Sequence, residues 1–192
     1  MKHSRMIVSV FLVILSPFII QASDKSDATD LMNKSEISAK VVEIPVRSFG
    51  DKADIASFEN GLAVIKQGKV KLAQSKFLEA KAKFEEYQKL EYELYGSLSP
   101  KYMQRAQELI DKIAEELADY VSDAAVLKGF TDAAENLATA KLRYTSKQYP
   151  AVIQSSRIAK KLVINCYALV KKDVPAEYKK DLEDANGKIF KE

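Results

Sequence analysis

The chain has 192 residues, 47% of them hydrophobic, and its 30 Lys and Arg against 27 Asp and Glu leave a formal net charge of +3. The two signs are interleaved, a pattern of solvated helix surfaces that supplies no basic face for nucleic acid or anionic lipid. Its six glycines stand singly, which excludes the Gly-rich loops that cradle phosphates and with them a nucleotide cofactor.

The N-terminus sets the expected compartment. Lys2 and Arg5 precede an uncharged apolar run over residues 6–20, Pro17 breaks that run near its end, and Ile20-Gln21-Ala22 follows. An aliphatic residue at −3 and a small one at −1 complete the layout of a cleavable secretory signal over residues 1–22. A membrane span needs ~20 apolar residues, and this run is shorter and carries a proline. The alternative is an uncleaved anchor. No cysteine lies near the cleavage point, so no lipid attachment is expected there. The protein should be periplasmic or extracellular, with no stable membrane insertion once the signal is removed.

Cleavage after Ala22 leaves 170 of the 192 residues, and the net charge falls from +3 to +1 because Lys2 and Arg5 are lost. It also removes His3, the only histidine. Histidine-based triads, dyads and metal sites are then impossible. The single cysteine, Cys166, sits in an apolar helical stripe between Val163 and Val170 and reads as a packing residue. Carboxylates are plentiful, at Glu85-Glu86, Glu115-Glu116, Asp181 and Glu183-Asp184, but lysines stand beside them and a solvated face is the expectation. The sequence therefore points to no catalytic residue, no metal and no cofactor, and to a protein that is not an enzyme.

In chain order, residues 23–52 read as a flexible linker or tether, with a short extended stretch around Val41–Val46 and punctuation at Pro45 and Gly50. A sequon, Asn33-Lys34-Ser35, falls within it. Residues 53–192 form a single α-helical domain. Val70, Ala73, Phe77, Ala80, Phe84, Tyr87 and Leu94 keep a three-four spacing. Gly68 is expected to end the first helix, and Gly96 the next. Ser99-Pro100 then reads as an N-cap followed by proline at the first helical position. That opens a helix over 100–121, with Met103, Ala106, Ile110, Ile113, Leu117 and Tyr120 inward. Ser122-Asp123 caps a helix over 124–146, Pro150 opens another through Cys166, and Pro175 opens a short last one. No alternating, strand-like run competes beyond residue 50. The fold class is all-α, with antiparallel hairpins and about six helices.

Two hairpins, at about 54–90 and 131–165, resemble each other. Aligning Gly61 with Ala140 places Val70 on Tyr149, Ala73 on Val152, Ala80 on Ala159 and Phe84 on Val163. A small residue in the first helix, a Lys-Gln-Gly-type turn at Lys66–Gly68 or Ser146–Tyr149, and small residues at fixed places in the second helix resemble the tetratricopeptide repeat (TPR) family. The resemblance implies a helix-lined groove for a partner's peptide or helix. An irregular helical bundle is the competing architecture.

Tyr87, Tyr92, Tyr95 and Tyr102 crowd one stretch around Gly96 and form the candidate partner-contact surface. The expected function is a non-enzymatic protein-interaction or scaffolding module of the cell envelope, whose protein partner the chain does not name. The alternative is a structural bundle that self-associates as a homo-oligomer or serves as an accessory subunit. The signal reading predicts that protein from its native host begins at Ser23, because Ala22 is the small residue after the apolar run. N-terminal sequencing checks this, and Met1 retained on membrane-bound material would establish the anchor instead.

Overall fold

The computed structural model describes the backbone of residues 4–189 and the side chains of residues 23–189. The expected signal segment therefore lies outside the described side chains. The elements are α1 (Ser4–Phe49), α2 (Lys52–Ala73), α3 (Phe77–Glu116), a 3-10 turn over Ala118–Tyr120, α4 (Ala124–Thr145), α5 (Tyr149–Leu169), a second 3-10 turn over Ala176–Tyr178, and α6 (Lys179–Ala185). Among the described residues there are six α-helices and no strand, so the fold is all-α. Among the described residues, no helix is long and apolar enough to cross a membrane.

The chain divides into two compact units, Met1–Ala39 with Asn60–Lys89, and Lys40–Glu59 with Leu90–Glu192. In the first, α1 buries Ala28, Ser35 and Ala39, α2 buries Val64 and Ile65, and α3 buries Ala80, Phe84 and Tyr87. Glycines set how closely α2 and α3 approach. A Cβ on Gly61 would stand 3.2 Å from the Tyr87 ring, and one on Gly68 would stand 2.6 Å from the Phe84 ring. Lys69 pairs with Glu36 at 2.7 Å across the exposed side.

The second unit is built around α5, which buries 11 of its 21 residues, among them Ser155, Ser156, Arg157 and Lys160. Helix α4 lies along it and contributes Val126, Ala133, Leu137 and Ala140. Leu109 and Ile113 from α3, and Leu117 just after it, join Val163, Ile164, Cys166, Tyr167 and Tyr178 in one apolar cluster. Cys166 is fully buried, as expected, and its sulfur occupies the space that a Cβ on Gly129 would need, 2.6 Å away.

Three expectations fail here. Residues 23–49 are not a tether but the helical continuation of α1, ending where the Gly50 N–H bonds to the Val46 carbonyl at 2.9 Å. Ala28, Ser35, Ala39, Val42 and Val46 fall at steps of seven, four, three and four, and all are buried. The stripe is real but made of small residues. The sequon's Ser35 is thus a buried helical residue.

Second, the stop at Gly96 and restart at Pro100 do not occur, and α3 runs through both. The stripe Leu94, Leu98, Tyr102, Ala106, Leu109, Ile113 keeps helical phase across the proline, and every member is buried. An interior proline costs ~3 kcal/mol. Each large apolar side chain removed from water returns about 1.5–3 kcal/mol, so the continuous stripe wins. Ser99, instead of capping a new helix, donates its hydroxyl to the Tyr95 carbonyl at 2.7 Å.

Third, Gly68 lies inside α2, and the turn comes later. Ser75 takes the left-handed conformation (φ 58°), with Lys76 N–H bonding Lys71 O and Ser75 N–H bonding Leu72 O. Lys147 (φ 56°) repeats this between α4 and α5, with Gln148 N–H on Arg143 O and Lys147 N–H on Tyr144 O. Both are Schellman caps formed without glycine. They register the hairpins 72 residues apart, from Ser75 to Lys147, and not by the 79 that aligns Gly61 with Ala140. In that register Gly61 and Gly68 correspond to the buried Ala133 and Ala140.

Gly68→Ala is therefore expected to destabilise by packing. The methyl gains ~1 kcal/mol of helix propensity but overlaps a buried ring at a cost of about 1–3 kcal/mol. Thermal unfolding should show a lower midpoint, and Phe84→Leu should cost less beside Gly68→Ala than alone. A raised midpoint, or equal costs of Phe84→Leu in both backgrounds, would show that the ring does not set this approach.

Candidate functional site

The tyrosines singled out in the sequence do not form one surface. Tyr87 and Tyr102 are buried, as is Tyr95, whose phenol is pushed up to about 12 by burial. Only Tyr92 of the four is exposed, at 46%. Over the four turns of α3 that they span, Tyr87, Tyr95 and Tyr102 turn inward and Tyr92 outward, which proximity in sequence conceals. Tyr92 instead meets Tyr149 (5.0 Å between ring centroids), and Tyr149 meets Tyr144 (5.7 Å). The Tyr92 hydroxyl donates to the Lys147 carbonyl at 3.1 Å, in the α4–α5 turn. Gly96 leaves room for the Tyr149 ring, 3.2 Å from where its Cβ would stand. The exposed aromatic group of the second unit is thus Tyr92, Tyr144 and half-buried Tyr149.

The main concentration of charge lies inside the unit. Lys160 is fully buried, and its Nζ donates to Asp181 Oδ1 (3.1 Å) and Asp184 Oδ2 (2.8 Å). Its ammonium also stands 3.9 Å from the Phe49 ring centroid and 4.9 Å from that of Tyr102. Arg157 donates to Asp184 Oδ1 from Nε (3.2 Å) and Nη2 (2.7 Å). Arg105 grips Asp181, with Nη2 2.7 Å from Oδ2. The Tyr102 hydroxyl donates to Asp184 Oδ1 at 2.5 Å.

Burial alone would raise the Asp184 carboxyl, but Lys160 and Arg157 outweigh it and hold it below the usual carboxylate range. The Tyr102 phenol is driven far up by burial and by the neighbouring Asp184. Each carboxylate is held by two cations, so the cluster is a closed ion-pair network. None of its members is free to act as an acid, base or nucleophile while so engaged.

Two smaller networks tie helix ends. Asp51 Oδ1 accepts from the N–H groups of Ala53 and Asp54, and Asp54 Oδ2 accepts from the Asp51 N–H at 3.0 Å, a reciprocal cap on α2. Lys101 donates to both carboxylates and Ser97 to Asp54 Oδ1. The Lys101 hydrogen bond is the main reason the Asp51 carboxyl sits below its ordinary value. At the other end of α3, Glu116 accepts from the hydroxyls of Tyr167 and Tyr178, and both phenols are raised, chiefly by burial. No group of three or more potential metal ligands occurs among the described residues.

The sequence reading placed Asp181 and Asp184 on a solvated face, and they are instead 1% and 0% exposed. A signal was present. Arg157 and Lys160 stand three apart inside the apolar stripe of α5, and Asp181 and Asp184 stand three apart on α6. Opposite charges at matched spacing on two packed helices are complementary. Protein-family models, curated proteins and solved structures were compared with this chain, and none matches it.

Lys160→Met should cost about 1–3 kcal/mol at neutral pH, below the ~3–5 kcal/mol of a stranded buried charge, because Arg157 and Arg105 still hold the carboxylates. Asp184's depressed value means its stabilisation is complete above the ordinary aspartate pKa of ~3.9 and is lost as pH falls through the lower folded value. The variant should thus lose less stability than the wild type on acidification below ~4. Denaturant melts across pH check both, and parallel pH profiles would show that Lys160 does not depress Asp184.

Proposed function

We propose that this chain is an exported, non-enzymatic protein-interaction or scaffolding module of the cell envelope, which binds a partner protein through a helix-lined surface. The supporting observation is the group of Tyr92, Tyr144 and Tyr149 at the α4–α5 turn, with Tyr92 46% and Tyr144 38% exposed. Tyrosine brings large apolar area and a polar tip with few rotatable bonds, which suits recognition. Leu142 on α4 is also exposed, at 68%. The sequence pattern of residues 1–22 supports export. The closed pairing of the buried charges supports a structural use for the most chemically capable residues.

Self-association is the second reading, favoured by the same exposed apolar side chains, because an isologous contact needs only one such patch. Light scattering on the purified protein separates the two, since a monomer leaves the partner reading standing alone. Tyr92→Ala with Tyr144→Ala is expected to lower stability by about 1–2 kcal/mol, as each ring is only partly exposed and packs on Tyr149. The double variant should also fail to retain proteins that the wild type retains from a native envelope extract. Equal retention by the two would sink the assignment of this surface.

A further inference from the structure

The helix that closes the charged cluster is held differently from the others. Helix α6 spans seven residues, Lys179–Ala185, and the only buried ones among them are Asp181 and Asp184. Leu182 packs on the core only partly buried. A seven-residue helix is far below the ~12–15 residues at which an isolated helix becomes even marginal, so α6 owes its form to docking. Its docking is ionic. Both acceptors of Lys160 Nζ, the acceptor gripped by Arg157 and the acceptor gripped at 2.7 Å by Arg105 are carboxylates of α6. A non-helical connector after α5, with Lys171 left-handed (φ 57°), leads to it, and the 3-10 turn carrying the buried Tyr178 precedes it.

From this we infer that α6 is an electrostatic strap, separable from the α4–α5 body, which undocks when Asp184 loses its charge and uncovers a socket of Arg105, Arg157 and Lys160. The groups that face it are Tyr102 and Arg105 from α3, Arg157 and Lys160 from α5, and from α1 the Phe49 ring, over which Lys160 and Lys180 both stand. Arg105 has a further contact with Glu108 at 3.5 Å. Lys112 pairs with Glu177 in the 3-10 turn, and Tyr178 donates to Glu116. Those last contacts lie before α6 and keep the turn seated when the helix leaves. Once α6 is undocked the three cations meet water, which offsets the loss of their partners. The apolar cluster of Leu109, Ile113, Leu117, Val126, Val163 and Ile164 takes nothing from α6 beyond the partial cover of Leu182. Elements with few buried apolar contacts occupy the low-stability end of a fold and open before the whole.

Hydrogen exchange on the full chain from pH 7 to pH 3, read as protection factors, tests this. Amides of residues 179–186 should lose protection as pH falls below the ordinary aspartate value of ~3.9 toward the lowered value of Asp184, by up to about tenfold per pH unit, while amides of α5 stay protected. Asp184→Asn should give α6 at pH 7 the weak protection that the wild type shows in acid, with α5 unchanged. Loss of protection in α6 and α5 together at every pH would overturn the inference. So would an Asp184→Asn chain that does not fold, because a separable strap leaves the body intact. Wild-type protection of α6 in Asp184→Asn would likewise remove the carboxylates from the role.

Discussion

Lys160 is the constraint around which the second unit is arranged. An ammonium with no exposed surface is tolerable only where its protons are met by acceptors and its charge by opposite charge. Helix α5 contains no acidic residue and cannot supply them itself. The carboxylates come from α6, the aromatic faces from α1 and α3, and the flanking guanidinium groups from α3 and α5. Four helices are thereby given one mutual arrangement that nonspecific apolar contact would not select. A buried network of this kind adds little net stability over a well-packed apolar core. What it adds is intolerance of alternatives, since any other register leaves a charge stranded.

A second constraint is the phase of the apolar stripe, and it explains where local signals fail. Gly96 and Ser99-Pro100 satisfy every local criterion for a helix end and a fresh start, yet α3 continues because Leu94, Leu98 and Tyr102 stay on one face. The same holds at Gly68, whose absent side chain makes room for Phe84 and does not release the backbone. In both places the long-range packing term exceeds the ~1–3 kcal/mol of local preference. The true turns fall at Ser75 and Lys147, residues with no special claim on positive φ, because the caps there are imposed by how the paired helices end.

These contrasts define what was legible. The helical class, the cap at Asp123, the α4–α5 turn and the burial of Cys166 could be read from periodicity and from turn chemistry. Residues 23–49 could not, because a stripe of Ala28, Ser35 and Ala39 carries little hydropathy contrast against its polar neighbours. The charged cluster escaped for a related reason. A single helix shows Asp181 and Asp184 among lysines, and only the partner helix reveals that Arg157 and Lys160 face them. The tyrosines were misjudged by distance along the chain, where angle about the helix axis decides exposure. Tyr87 and Tyr95 are eight residues apart and both inside, whereas Tyr92 between them is outside.

The distribution of chemistry over the molecule then bears on its use. Groups able to transfer protons or bind anions, namely Lys160, Arg157, Asp181, Asp184 and Tyr102, neutralise one another in a site without solvent access. Enzymes keep such groups at a cleft where a substrate can replace one of the partners. Here the replaceable partner is the chain's own α6, attached by two carboxylates and little apolar area. The tyrosines at the α4–α5 turn show the opposite arrangement, with rings packed on one another at a tilt, one hydroxyl donated to a backbone carbonyl, and Tyr92 and Tyr144 partly exposed. Rigid aromatic area with modest internal bonding is what a protein partner can use without first breaking anything. On the proposed reading, charge fixes the interior of this unit and contact with a partner falls to its aromatic rim.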